Sequence, residues 1–114
     1  MKFGTYIRNA RETRPEGRLS LRHVARLLEI EPSYLSKIER NDVPPFSSQK
    51  IIDLAKILGI DHDELLARAG RISPDLEAII QSKPKLLARL LRQIKHMSDD
   101  AIIHLVREVK DGEW

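Results

Sequence analysis

The sequence predicts an all-α fold. Apolar residues recur at spacings of three and four along nearly the whole chain, with no stretch of strict alternation that would mark a strand. Aromatic residues make up 4% of the 114 residues, and residues that favour helix starts (Ser, Asp, Pro) stand before every apolar-periodic run after the first.

The first helix is expected over about Phe3–Arg14, with Ile7, Ala10 and Tyr6 inward, ending at Pro15-Glu16-Gly17. Ser20 is an N-cap, its hydroxyl accepting from first-turn amides, and Leu21, Val24, Ala25 and Leu28 repeat on one face of a second helix. Pro32 suits the first position of a third helix, Pro32–Arg40, which turns Leu35 and Ile38 inward. Residues 41–46, Asn-Asp-Val-Pro-Pro-Phe, form a loop. Ser47 or Ser48 then caps a fourth helix, amphipathic through Ile51, Leu54, Ala55 and Leu58 and closed by Gly59. Asp61 with Glu64 has capping-box spacing ahead of a short fifth helix carrying Leu65 and Leu66, and Gly70 ends it. Ser73-Pro74, Ser82-Lys83-Pro84 and Ser98-Asp99-Asp100 open three more helices, reaching about Gln81, His96 and Lys110. The chain is therefore expected to divide into a five-helix unit over residues 1–70 and a three-helix extension over 71–114.

Charge is unevenly placed. Residues 1–40 hold nine Lys/Arg against five Asp/Glu, residues 41–70 three against five, and residues 71–114 eight against seven, for a net +3. The basic end is the first forty residues, which points to a polyanion there. The composition, 41% hydrophobic and 32% charged, is that of an ordinary globular chain. No apolar run approaches the roughly 20 residues that span a bilayer, and no leader pattern precedes the first helix, so a cytoplasmic protein with no membrane partner is expected.

Two short helices joined by a tight turn, the second opening with small and polar side chains, form the geometry that places a helix in the DNA major groove. The residues from Leu19 to Asn41 carry it: Ala25 between the hydrophobics of the second helix, then Tyr34-Leu35-Ser36-Lys37-Ile38-Glu39 in the third. Leu54-Ala55 and Leu58-Gly59 close the fourth. Over roughly Phe3 to Gly70 this pattern resembles Cro and phage-repressor-like regulators of the xenobiotic-response-element type. The resemblance implies a repressor-like DNA-binding domain with Ser33 and Lys37 nearest base edges, Lys37 donating to guanine. The outward positions also include Tyr34, Ser36 and Arg40; Tyr34, Arg40 and Asn41 suit phosphates, with Ser20, Arg22, Ser47 and Ser48 adding backbone anchors. It further implies a structural ion pair between Arg11 and Glu39. Two positions depart from the family: Leu21 stands where Gln is frequent, and Glu29 where Gly is usual. A Glu at a turn position of positive φ costs about 1 kcal/mol against Gly.

Other chemistries find no constellation. His23, His62, His96 and His104 show no close helical spacing and no cysteine accompanies them, so no metal is expected. Asp61, Asp63, Glu64, Asp99 and Asp100 lie at helix starts, where carboxylates oppose the macrodipole. With no phosphate-cradling glycine loop and no nucleophile beside a base, neither an enzyme nor a cofactor is expected.

The last three helices carry more apolar surface than an appendage needs. Leu87, Leu90, Leu91, Ile94, Ile103 and Val106 are the candidate contacts of a homodimer, in which two recognition helices read half-sites of a near-palindromic operator in double-stranded DNA. The family resemblance favours a repressor. The alternative is an antitoxin or adaptor whose C-terminal helices bind a protein partner.

Overall fold

The computed structural model describes residues 1–114 and contains eight helices and no strand. They are α1 (Phe3–Glu12), α2 (Leu21–Leu27), α3 (Pro32–Glu39), α4 (Ser48–Leu58), α5 (His62–Arg68), α6 (Pro74–Ser82), α7 (Pro84–Ile94) and α8 (Asp99–Asp111). The all-α class read from the sequence is the observed one. Two compact units are present, Met1–Ser73 and Pro74–Trp114.

In the first unit α1 and α2 both pack on α3, and α4 packs on α5. The core gathers residues from all five helices, with Ile7, Val24, Leu28, Leu35, Ile38, Ile51, Leu54, Leu65 and Leu66 fully enclosed. Phe46 joins this core from the α3–α4 loop; its ring meets Phe3 edge-on at 6.2 Å and Tyr34 at 6.4 Å, the T-shaped arrangement that aromatic quadrupoles favour. Ala25 is fully buried and α2 packs on α3; a small side chain on α2 lets two short helices approach closely.

Helix starts follow local chemistry. Ser20, Ser47 and Ser98 accept hydrogen bonds from His23, Lys50 and Ala101 amides, and one carboxylate oxygen of Asp61 accepts from both Asp63 and Glu64. The expected capping box at α5 is half formed. Glu64 does not return to Asp61; it accepts instead from the Tyr6 hydroxyl at 3.1 Å and lies near Arg68, whose guanidinium stacks 4.0 Å over the Tyr6 ring. Helix α1 stops at Glu12, short of the expected Arg14, because the residue before Pro15 is disfavoured in the α region. Ser82 closes α6 rather than opening α7: its hydroxyl donates to the Ile79 carbonyl at 2.6 Å, and Lys83 precedes Pro84 without a side-chain cap.

Four helices end alike. After α2, α3, α4 and α5 a residue with φ between 57° and 73° turns the chain: Glu29, Asn41, Gly59 and Gly70. In each, two amides fold back on the last turn. The Ile30 amide donates to Ala25, Asp42 to Lys37, Ile60 to Ala55 and Arg71 to Leu66. These are Schellman closures, which satisfy orphan carbonyls at the cost of one left-handed residue.

In the second unit α6 contacts α7, and none of the three helices contains a buried residue. Leu87, Ile94, Ile102 and Leu105 are half-buried, while Leu86, Leu90, Leu91, Ile103, Val106 and Val109 stay about half or more exposed. No helix of the chain is long and apolar enough to cross a membrane.

Candidate nucleic-acid interface

The turn between α2 and α3 sets the direction of α3. Leu28 is a buried pivot at the end of α2, Glu29 takes φ 57°, and Pro32 starts α3 with its fixed φ. Glu29 is exposed, so nothing but its own Cβ opposes the left-handed conformation. Replacing it with Gly is expected to stabilise the domain by about 1 kcal/mol, seen as a rise of several degrees in the thermal midpoint. An unchanged or lowered midpoint would show that the turn carries no strain.

Helix α3 divides its residues cleanly. Leu35, Ile38 and Glu39 are buried, and Ser33, Tyr34, Lys37 and Arg40 face solvent, with Ser36 half-buried. The Lys37 ammonium makes no ion pair. Arg40 is more constrained: its guanidinium donates to Asp42 at 3.0 Å and to the Ser36 hydroxyl at 3.0 Å, which offsets part of its charge. The Tyr34 ring packs against Phe46 in a T-shaped contact, and the residue remains exposed. Arg22 is exposed on the first turn of α2. Ser20 and Ser47 use an oxygen lone pair for capping and keep their O–H as a donor. Ser48, half-buried, lies 3.4 Å from a nitrogen of Arg71.

Asn41 is committed inside the protein. Its side-chain oxygen accepts from the Gly4 amide at 2.9 Å and its nitrogen donates to the Thr5 hydroxyl at 3.0 Å. It therefore caps the start of α1, where Lys2 offers no side-chain bond, while its own φ of 63° ends α3. One of its two amide hydrogens is thus used within the chain, and the residue is exposed.

Behind this surface lies an ion pair. Arg11 grips Glu39 through two parallel hydrogen bonds, Nε to Oε2 at 2.9 Å and Nη2 to Oε1 at 2.8 Å, and its Nη1 donates to the Leu19 carbonyl at 3.0 Å. Both side chains are more than nine-tenths enclosed. The hydrogen bond to Glu39 raises the Arg11 pKa above its ordinary value, against the lowering effect of burial. One guanidinium thus ties α1, the α1–α2 loop and the end of α3 together.

Two further ties escaped sequence reasoning because their partners are distant in the chain. Lys50 of α4 donates to the Leu28 carbonyl at the end of α2. Arg71 donates to the carbonyls of Phe46 at 2.6 Å and Pro45 at 3.2 Å, pinning the loop that leads into Ser47 and Ser48. A lysine or arginine that ends on a carbonyl leaves no periodic trace; Lys50 stands in the first turn of α4 and Arg71 just past Gly70, and neither position names its acceptor.

Comparison with known proteins agrees with this geometry. The helix-turn-helix domain family matches residues 2–69, more than half of the chain. Among solved structures, the clp gene regulator ClgR from Corynebacterium glutamicum is similar, with 25% identity, a TM-score of 0.50 and coverage of 82% of this chain and 89% of its own. No curated protein matches. A buried core that holds two short helices in a turn closed at Glu29, with a polar and cationic face on the second, thus places this chain in the helix-turn-helix family, as a DNA-binding transcription regulator.

Proposed function

We propose that the chain represses transcription as a cytoplasmic homodimer, each copy laying α3 in the major groove of one half of a near-palindromic operator. The division of α3 carries this: its apolar residues and Glu39 are locked into the core, which fixes the helix, while Ser33, Tyr34 and Lys37 stand free on the other side. Lys37 reads guanine, Ser33 an adjacent base edge, and Tyr34, Ser36 and Arg40 the neighbouring phosphates, Arg40 after releasing Asp42. Ser20, Arg22, Ser47 and Ser48 anchor the sugar–phosphate backbone on either side. Asn41 acts from behind, holding α1 against the end of α3. Repression follows from the family resemblance, and the paired arrangement from the limited base contacts one recognition helix makes.

Sequences recovered from random duplexes by the full chain test the proposal. A partly palindromic motif is expected. Lys37→Ala should cost roughly 1–3 kcal/mol of discrimination and relax preference at one position per half-site, whereas Arg22→Ala should weaken all sequences alike and lower the salt slope by about 1. Sequence-blind binding by the wild type, or an unaltered motif from Lys37→Ala, would overturn it.

The exposed apolar residues of the second unit also support a second reading, an adaptor or antitoxin in which a helix of another protein covers them. Charges at Leu87 and Leu91 separate the two. They should abolish capture of a protein partner in that case, and self-association together with operator affinity in the other.

A further inference from the structure

The second unit has 41 residues in three helices and none of those helices has a buried residue, so its apolar side chains lack a cover. Leu86, Leu90 and Leu91 of α7 are each about half exposed or more, and so are Ile103, Val106 and Val109 of α8. The charges of the two helices are segregated. Residues 83–97 carry five Lys/Arg and no acid, and residues 99–113 carry five Asp/Glu against Arg107 and Lys110. None of the five cations makes an ion pair within its own chain, and on α8 the one acidic pairing is Glu108 with His104 at 3.1 Å.

Helix periodicity puts several of these charges at the edges of the apolar faces. Arg89 lies one turn beyond Leu86 and Lys95 one turn beyond Leu91; on α8, Asp99 opens the apolar face one turn before Ile103, Glu108 borders it one turn beyond Leu105, and Arg107 borders its other edge one turn beyond Ile103. A cationic leucine face and an anionic isoleucine–valine face on one chain are complementary to each other, and a second copy supplies both. We infer that the occupant of this surface is a second copy of this chain, with α7 of each protomer lying on α8 of its partner and Arg89 and Lys95 at the rim facing the partner's acids. Two-fold symmetry then makes the same contact twice. Pairing α7 with α7 would instead set like charges against each other, and pairing α8 with α8 would leave the five cations of α7 without a counter-charge. This arrangement rests on the homodimer proposed above and specifies its interface.

A charge exchange tests it. The α7 variant Arg89→Glu/Lys95→Glu and the α8 variant Asp99→Lys/Glu108→Lys are made in the full chain, and their masses are followed by sedimentation, with far-UV circular dichroism to confirm helicity. Each variant alone should dimerise roughly 100-fold more weakly than wild type, because the two exchanged charges then face like charges in both halves of the dimer. An equimolar mixture should recover a heterodimer within about tenfold of wild-type affinity, since each altered helix then meets an opposite partner. The single exchanges Arg89→Glu and Glu108→Lys, which leave the Ser98-capped start of α8 untouched, repeat the measurement should Asp99→Lys reduce helicity. If either variant still dimerises like wild type, or if the mixture stays monomeric, the α7–α8 pairing is wrong although the chain dimerises. A wild-type chain that is monomeric at all concentrations would remove the homodimer itself.

Discussion

Replacing Arg11 by Met is expected to lower the thermal midpoint of the first unit by more than about 10 °C. The substitution keeps most of the side-chain volume and removes the charge, so the Glu39 carboxylate is left more than nine-tenths enclosed with both of its guanidinium donors gone. Breaking a buried pair by removing one partner costs about 3–5 kcal/mol, a large share of the roughly 5–15 kcal/mol that holds a domain folded. The Leu19 carbonyl also loses its donor. The double substitution Arg11→Met/Glu39→Met should recover most of the loss, because two apolar chains in a closed site need no counter-charge. Melting curves of the single and double variants decide the matter. A single variant within a degree or two of wild type would mean that the carboxylate finds water or another donor, and the pair would then not be what fixes the end of α3.

Gly4→Ala should be almost as damaging, in a direction opposite to helix propensity. In the first turn of an isolated helix, Ala is preferred to Gly by up to about 1 kcal/mol. Here a Cβ at Gly4 would sit 2.0 Å from the Ile38 carbonyl oxygen, 2.6 Å from the Asn41 side-chain oxygen and 2.8 Å from the Glu39 carbonyl oxygen. Two of these atoms are backbone and cannot swing aside, so α1 must back away from the end of α3. That movement also breaks the Gly4 amide bond to Asn41. Overpacking of this kind costs typically about 1–3 kcal/mol, enough to outweigh the propensity gain. The thermal midpoint is expected to fall, and operator affinity to fall with it, since Asn41 and Glu39 locate the C-terminal turn of the recognition helix. A midpoint that rises would show that α1 and α3 do not approach so closely in solution.

The two substitutions bear on one design. The polar face of α3 is written in eight residues, but its position is set from behind by residues outside it: Arg11 through Glu39, and Gly4 with Thr5 through Asn41. Asn41 shows what local reasoning leaves out. An exposed Asn after a recognition helix looks like a phosphate donor, and its amide also holds the start of α1. The partner lies 37 residues earlier in the chain, at a separation for which no periodic pattern exists.

The sequence by itself determined what depends on near neighbours. Apolar spacing fixed which residues each helix turns inward. Ser20, Ser47, Asp61 and Ser98 marked helix starts, because a cap bonds to amides two or three residues on. Gly59 and Gly70 marked ends, because the left-handed turn needs little else than freedom at Cβ. The helix-turn-helix spacing and the outward set of α3 follow from those same short-range rules. Tertiary structure alone decided the contacts that cross between elements: Gly4 against the carbonyls of Ile38 and Glu39, Lys50 on the end of α2, Arg71 on the loop before α4, and Glu64 diverted from its own cap to Tyr6. Such contacts form only after the core has set the distance between helices. A carbonyl or a carboxylate accepts whichever donor the packing brings within reach, and nothing in its local sequence names that donor in advance.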